Sequence, residues 1–197
     1  MSSSRDPHDS EINASADGSP DAAASAAAHV VPGRACGSCT LCCKLIAVAD
    51  LGKPPGEWCP HCVRGQGCGI YATRPTECRT FFCHWMLEKG LTPDWKPEKA
   101  KFALVTSAGG HMTAFVDPGF PGAWRKSPYF ETLKRWSLEG MRASPARIVT
   151  VRIGTRAIVV LPDREIDAGH VGPNDALRLA KGPGGRIEVR KVARDST

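Results

Sequence analysis

The sequence predicts a small α+β protein in which a cysteine-rich, metal-stapled segment packs on a β-rich C-terminal half. All nine cysteines of the 197-residue chain lie between Cys36 and Cys83. That stretch is rich in Gly and Pro, which favours loops over long regular elements. Beyond residue 90, short β-branched runs between turn residues predict strands, and one longer run has the spacing of an amphipathic helix.

Residues 1–33 are predicted to form a disordered tail. They are rich in Ser, Ala, Asp and Pro and show no apolar period, so they cannot bury enough surface to offset the entropy lost on ordering. The tail carries five acids and one base, and without it the formal net charge rises from +6 to +10. Because the remaining bases are scattered, they favour a solvated mixed surface over a nucleic-acid partner.

The cellular compartment is predicted from two patterns, a transmembrane run and a secretory signal. No apolar run approaches the roughly 18 residues of a transmembrane helix, and the N-terminus has no secretory signal pattern. We therefore expect a cytoplasmic protein with no membrane partner. In that compartment an odd number of cysteines favours metal binding or thiol chemistry over a disulfide framework.

Residues 34–90 form the predicted cysteine-cluster segment, mostly loop with one helix near its end. Pro75 suits the first turn of that helix and Gly90 suits its C-cap. Phe82, Trp85 and Met86 fall at i, i+3 and i+4, so they are expected to form the buried face.

Residues 91–197 are the predicted α+β part of the same domain. Two strands are expected around Gly109-Gly110, a helix ending at Gly140 carries apolar Leu133 and Leu138, and a hairpin is expected around Gly154. The corresponding ranges are 102–106 and 112–116 for the first two strands, 128–139 for the helix, 148–153 and 157–161 for the hairpin, and 186–192 for a half-exposed strand.

The cysteines are the candidate metal ligands. A C-x2-C pair brings two thiolates onto one ion, and thiols this densely spaced predict a metal centre. Zinc suits four-thiolate sites, and an iron–sulfur cluster fits as well, although the C-x2-C-x2-C run lacks the fourth Cys-Pro of bacterial ferredoxins. The candidates are Cys36, Cys39, Cys42, Cys43, Cys59, Cys62, Cys68, Cys78 and Cys83.

The spacing of these thiols predicts more than one centre. Adjacent Cys42 and Cys43 are expected to point in different directions, about 100° apart on a helix. Cys78 and Cys83 would be about 140° apart on one straight helix. We therefore expect two four-thiolate centres, with eight of the nine cysteines as ligands and one left over.

The pattern resembles the YkgJ-type cysteine-cluster family of small bacterial proteins. The resemblance covers residues 34–90 and is carried by Cys36–Cys43 and by the run Cys68-Gly-Ile-Tyr-Ala-Thr-Arg-Pro-Thr-Glu-Cys78-Arg-Thr-Phe-Phe-Cys83. It implies a zinc- or iron-chelating domain. Cys59 and Cys62 are additional to the minimal family pattern. A related cluster in flagellin lysine methylases, where an iron–sulfur centre is proposed, favours iron somewhat.

Trp58-Cys59-Pro-His-Cys62 also resembles the motif of thioredoxin-fold thiol oxidants. Pro and His between the cysteines would favour the N-terminal thiolate. That motif needs a strand before it and a long helix after it, whereas Gly- and Pro-rich stretches flank it here. The metal-ligand interpretation is therefore preferred.

Other residues are candidates for supporting roles. Arg74 and Arg79 flank Cys78 and are expected to donate hydrogen bonds to thiolate sulfurs or to bind an anion near the centre. His61 and His84 each lie beside a cysteine, and with nine thiols present they are expected to be non-ligands.

No catalytic signature accompanies the cysteines, since the chain has neither a phosphate-binding loop, nor a nucleophile elbow, nor an H-E-x-x-H motif. A non-enzymatic metal-binding module holding zinc or iron is the preferred function. The alternatives are an iron–sulfur redox or accessory protein for a partner enzyme and, with less support, a thiol oxidoreductase that uses Cys59 and Cys62.

Overall fold

A computed structural model describes residues 28–107, 109–172 and 174–193. Most of the predicted tail, residues 1–27, lies outside the described residues. The segment around the cysteines contains only short elements, which are helix α1 (Leu41–Leu45), strands β1 (Cys62–Val63) and β2 (Gly67–Cys68), and helices α2 (Thr76–Thr80) and α3 (His84–Leu87). β1 and β2 pair as a small antiparallel hairpin.

The rest of the described chain is built on longer strands. Helix α4 (Pro97–Ala100) precedes β3 (Phe102–Thr106) and β4 (Met112–Val116), and helix α5 (Tyr129–Met141) precedes β5 (Val149–Ile153), β6 (Arg156–Val160) and β7 (Glu165–His170). These strands form one sheet in the order β3-β4-β5-β6-β7. The chain ends in a separate antiparallel pair, β8 (Asp175–Lys181) and β9 (Ile187–Ala193).

The five-stranded sheet is antiparallel except at its centre. β4 and β5 run parallel, and helix α5 lies in the connection between them, as a parallel pair requires a long crossover. The tight β5–β6 turn follows from Gly154, which takes a φ of 59° that favours glycine. The predicted strands 102–106 and 112–116 and the predicted hairpin at 148–161 are thereby confirmed.

One face of the sheet is covered by α5 and a cluster of aromatic side chains. Phe102 makes edge-to-face contacts with Trp95 and Tyr129, at centroid distances of 5.9 and 5.1 Å. Leu133 of α5 and Trp124 are fully buried against this face. Alternating strand residues supply the rest of this core because successive side chains point to opposite faces.

The opposite face of the sheet is covered by two different regions. At one end, Leu41 and Leu45 of α1 pack on Ala103 and Phe115. At the other end, the β8–β9 pair packs on β6 through a second apolar cluster. On this face the cysteine-bearing segment docks on the sheet through the i, i+4 leucines of α1.

Two predictions about elements differ from the structure. The single helix expected between Pro75 and Gly90 is two short helices separated at residues 81–83, and the second is capped at Glu88. Helix α5 continues through Gly140 to Met141, and its apolar Leu138 is 39% exposed. The strand at 186–192 is present as β9, but the sequence did not predict β7 or β8, whose apolar residues are interrupted by charged residues.

Among the described residues, no helix combines the length and the apolar character needed to cross a membrane.

Candidate metal centre

All nine cysteines are free thiols in one region of the fold. Cys39 and Cys83 are buried and the other seven are half-buried. The causes of their pKa shifts connect the sulfurs in two overlapping sets, which we call the Cys36 group and the Cys43 group. The sets overlap because Cys43 raises the pKa of Cys36 and is the largest influence on the pKa of Cys42. The Cys36 group is Cys36, Cys39, Cys42 and Cys83, and the Cys43 group is Cys43, Cys59, Cys62, Cys68 and Cys78.

The Cys36 group joins the start of the segment to its end. Cys36 and Cys39 share a turn in which the Cys39 N–H donates to the Cys36 carbonyl at 2.9 Å, with Gly37 in the left-handed conformation. Burial is the largest cause that raises the pKa of Cys83 to about 11, and the charges of Cys36 and Cys39 raise it further. Cys83 therefore lies within electrostatic range of two thiols more than forty positions earlier in the chain.

The break between α2 and α3 explains how Cys78 and Cys83 reach different groups. On one straight helix the two would lie about 140° apart around the axis. Here Cys78 belongs to α2, whereas Cys83 is the extended residue that caps the start of α3, with a ψ of 152°. The pKa of Cys78 is accordingly affected by Cys43, Cys59 and Cys68, and that of Cys83 by Cys36 and Cys39.

Helix α1 carries Cys42 and Cys43 at the boundary between the two groups. A hydrogen bond with Cys43, followed by burial, raises the pKa of Cys42 well above its usual value. Both residues lie on the same short helix, and each affects the pKa of the other. Cys42 and Cys43 therefore link the two groups.

The Cys43 group is assembled by backbone hydrogen bonds as well as by side chains. The Cys59 N–H donates to the Cys43 carbonyl at 3.0 Å, and the Cys62 N–H donates to the Cys59 carbonyl at 3.0 Å. Cys62 and Cys68 face each other across the β1–β2 pair. Burial raises the pKa of Cys78 to about 11, with further increases from the charges of Cys43, Cys59 and Cys68.

Cys43 differs from the other thiols in acidity. Its pKa is lowered to about 6, chiefly because the Cys42 thiol donates a hydrogen bond to it, with further lowering from Cys62 and the charge of Lys53. Burial opposes this shift. Cys43 is thus the more acidic partner of Cys42 and Cys62, whose pKa values are both raised.

Lys53 is a buried cation near the thiols that was not predicted from the sequence. Its side chain is 5% exposed, and its ammonium donates to the carbonyls of Lys44, Ile46 and Pro54, the first at 3.3 Å and the last at 2.9 Å. Burial lowers the pKa of Lys53, and the charges of Cys59 and Cys43 oppose that effect. A lysine after a glycine in a Pro-rich loop carries no pattern that predicts such burial.

The two predicted arginines have unequal positions. The Arg74 guanidinium stacks on the Tyr71 ring at 3.7 Å from its centroid, and its charge lowers the pKa of Cys36 against the larger effect of burial. Arg79 donates through Nε to the Arg74 carbonyl at 2.8 Å. Arg74 is therefore close to the thiols, while Arg79 supports the loop that carries Arg74.

Arg34, the first residue of the cysteine segment, contacts the end of the same segment. Its guanidinium donates to the carbonyls of Trp85, Glu88, Lys89 and Leu91, with distances of 2.7 Å to Glu88 and 2.6 Å to Leu91. These acceptors lie at and after the end of α3, where helical carbonyls lack partners. Arg34 thereby fixes the chain before Cys36 against the chain after Cys83.

The two histidines beside cysteines have separate surroundings. His84 Nδ1 lies 3.0 Å from the Thr106 hydroxyl, and its ring meets Trp136 edge-on at 5.7 Å. His61 is exposed, and its backbone carbonyl accepts from the Gly69 N–H. His84 is therefore engaged by the sheet half of the protein.

The Cys59–Cys62 pair lacks the setting of a thiol oxidant. Cys62 begins the two-residue strand β1, and a 3-10 turn at Ala49–Leu51 is the nearest element before the pair. A dithiol active site of that type lies at the start of a long helix, whose N-terminus lowers the thiol pKa.

The donor set fits a thiolate-held metal in its chemistry. Soft thiolates select zinc, copper(I) and iron–sulfur clusters, and two neighbouring groups offer four and five of them. As the side chains stand, however, no set of three or more His, Cys, Asp or Glu residues in the described ranges is arranged to hold an ion. Metal binding at either group therefore requires the sulfurs to converge further.

The chain matches no protein-family model, no curated protein and no solved structure. The resemblance to the YkgJ-type family accordingly rests on the cysteine motif alone and stays a prediction.

Proposed function

We propose that this protein is a metal-binding module that holds zinc or iron through its clustered thiolates. The observation that carries the proposal is that all nine cysteines are free thiols in one segment, where thiols far apart in sequence affect one another's pKa. Spacing within a C-x2-C motif cannot account for the effect of Cys36 and Cys39 on the pKa of Cys83. The resemblance to the YkgJ-type family supports the same function.

The electrostatics of the thiols also support a bound cation. Burial raises the pKa of Cys36, Cys39, Cys62, Cys78 and Cys83, so these thiols resist ionisation without added positive charge. A divalent ion reverses this balance because a coordinating thiol loses its proton outright. Binding is therefore expected to release several protons per ion.

We further propose two adjoining centres, one for each sulfur group. The Cys36 group supplies four thiolates, and the Cys43 group supplies four of its five, which agrees with eight ligands among nine cysteines. Lys53 and Arg74 would offset part of the negative charge that four thiolates place on a dication. The contact between Cys42 and Cys43 would put the two centres side by side.

The test is to count metals per chain in group-specific variants. The protein is purified without oxygen, and zinc, iron and acid-labile sulfide are measured with the visible spectrum. We expect about two four-thiolate centres per chain, with Cys39→Ser losing the first and Cys59→Ser/Cys62→Ser losing the second. Ser38→Ala, between Cys36 and Cys39 but without a thiol change, serves as the control and keeps both centres.

Each result has a defined meaning. One four-ligand metal per chain would refute the two-centre arrangement, and a chain that retains no metal under these conditions would refute the function itself. Zinc without sulfide would identify a structural or chelating module. Iron with matching sulfide and a broad visible band would instead identify an iron–sulfur protein that serves a partner enzyme.

A further inference from the structure

A cavity of about 210 Å³ lies on the sheet side of the protein, beyond the nine thiols. Its apolar wall is formed by Trp136, Met112 and Val149, and its rim carries His84, Glu139 and Arg147. For comparison, an engineered apolar cavity of about 150 Å³ holds benzene. The space is therefore large enough for a compact organic molecule with one small ring.

The apolar wall is held rigidly by its neighbours. The Trp136 ring contacts Trp95 at 5.4 Å and meets the His84 ring edge-on at 5.7 Å. Val149 is 2% exposed and belongs to the central strand β5. A ligand that enters the cavity would thus meet a preformed surface, which lowers the entropic cost of binding.

Arg147 is fixed at the cavity by two glycines. A Cβ on Gly140 would lie 2.5 Å from the Arg147 carbonyl oxygen, and a Cβ on Gly110 would lie 2.5 Å from the Arg147 Cδ. The Arg147 N–H donates to the Gly140 carbonyl at 2.9 Å. Since any side chain at either glycine would displace it, the backbone and stem of Arg147 are positioned by the fold.

The Arg147 guanidinium has no acidic partner in the described ranges of the chain. Glu139, the nearest carboxylate on the cavity rim, instead pairs with Arg135 at 3.5 Å, one helical turn earlier. Arg147 is exposed, and its guanidinium forms no hydrogen bond or ion pair with the described residues. An arginine whose backbone and stem are positioned beside an apolar wall is suited to a bidentate anionic partner.

We propose that this cavity binds a small organic monocarboxylate with a compact apolar body. The carboxylate would pair with the Arg147 guanidinium, and the apolar body would lie against Trp136, Met112 and Val149. Binding here does not depend on the proposed metal centres, because no thiol lines the cavity. His84 follows Cys83 directly, so a ligand in this cavity would lie next to the cysteine segment.

Benzoate is the probe that tests this site on the full-length protein. Its titration, followed by two-dimensional NMR, is expected to shift the Trp136 indole and Met112 methyl signals and to saturate. Arg147→Gln should weaken binding at least tenfold, because a charge-assisted bidentate contact is lost. The benzoate affinity of Arg147→Lys should lie between those of the parent protein and Arg147→Gln, since lysine keeps the charge but loses the fork geometry.

Two controls separate the carboxylate contact from general effects. Arg142→Gln removes an exposed arginine of the same stretch that does not line the cavity, and it should leave the benzoate affinity within twofold of the parent. Benzyl alcohol, which keeps the ring and lacks the charge, should bind at least tenfold more weakly than benzoate. Unchanged benzoate affinity in Arg147→Gln, or no saturable shift in the parent protein, would overturn the proposal.

Discussion

The cysteine segment and the sheet half of this protein are held together by different kinds of interaction. The sheet half has a large apolar core on one face, with Phe102, Trp124 and Leu133 fully buried. The cysteine segment has no helix longer than five residues and only two-residue strands among its described elements. Its apolar contacts with the sheet half include Leu41 and Leu45 of α1 and Trp85 of α3.

The difference shows what each region needs in order to stay folded. Burial of apolar area stabilises the sheet half without any cofactor. The cysteine segment places buried polar and sulfur groups where a core would otherwise be, and it is tied by Arg34, Lys53 and the thiol contacts. A segment of this kind gains its remaining stability from cross-links, which the proposed metal centres would supply.

The largest expected effect comes from removing metal, and it should be confined to one region. A chelator added to the metal-loaded protein is expected to expose the amides of Cys59 and Gly69 to rapid hydrogen exchange, while the β5 and β6 amides stay protected. Structural zinc contributes about 10–16 kcal/mol of apparent binding energy in small domains, so local opening should become easier by several kcal/mol. Equal loss of protection in both regions would contradict the division described here.

A core substitution should act in the opposite way. Leu133→Ala removes a fully buried side chain from α5 and is expected to lower the free energy of unfolding by about 2–5 kcal/mol without changing the metal content. Leu138→Ala, on the same helix at 39% exposure, should cost no more than about 0.5 kcal/mol. Urea unfolding of both variants measures the difference, and equal costs would mean that α5 buries a different face.

The link between the two regions should have a smaller effect. Lys44 of α1 donates to Asp117 at 2.6 Å, and Asp117 is 7% exposed just after β4. A double-mutant cycle with Lys44→Met and Asp117→Asn is expected to give a coupling energy of about 1–2 kcal/mol at neutral pH. A coupling near zero would show that the pair does not join the regions.

The same coupling should vanish in acid. Burial alone would raise the pKa of Asp117, but the hydrogen bonds from Lys44 and Gly119 outweigh it and lower the pKa. The stability from this carboxylate is therefore complete above its unfolded pKa of about 3.9 and is lost as the pH falls through the lower folded value. The cycle repeated across that range should show a falling coupling energy, and a constant one would assign it to packing.

Local patterns explain which elements could be predicted. Strands β3 to β6 follow from β-branched runs around Gly109-Gly110 and Gly154, because alternation and turn residues act over a few positions. β7 and β8 were missed since their residues lie at partly exposed edges, where polar and apolar positions mix. The helix expected from Pro75 to Gly90 failed because tertiary contacts place Cys83 in an extended conformation between two short helices.

The candidate metal centre was likewise only partly predictable from the sequence. The identity of the thiols and their restriction to one stretch were evident from the sequence, and so was the expectation of more than one centre. Which thiols lie together was not, because the Cys36 group joins residues from opposite ends of the segment. The burial of Lys53 and the carbonyl contacts of Arg34 likewise depend on loops that fold back over long sequence distances.

By itself, the sequence determined that this chain is an α+β protein whose cysteines all lie ahead of a β-rich half. Those features depend on composition and on short-range periodicity, which any local stretch expresses before it folds. Only the tertiary structure decided how Cys83 meets Cys36, how α1 docks on the sheet, and how Arg147 comes to lie between Gly110 and Gly140. Each of these depends on packing between residues far apart in sequence, where shape and burial rather than local pattern select the neighbours.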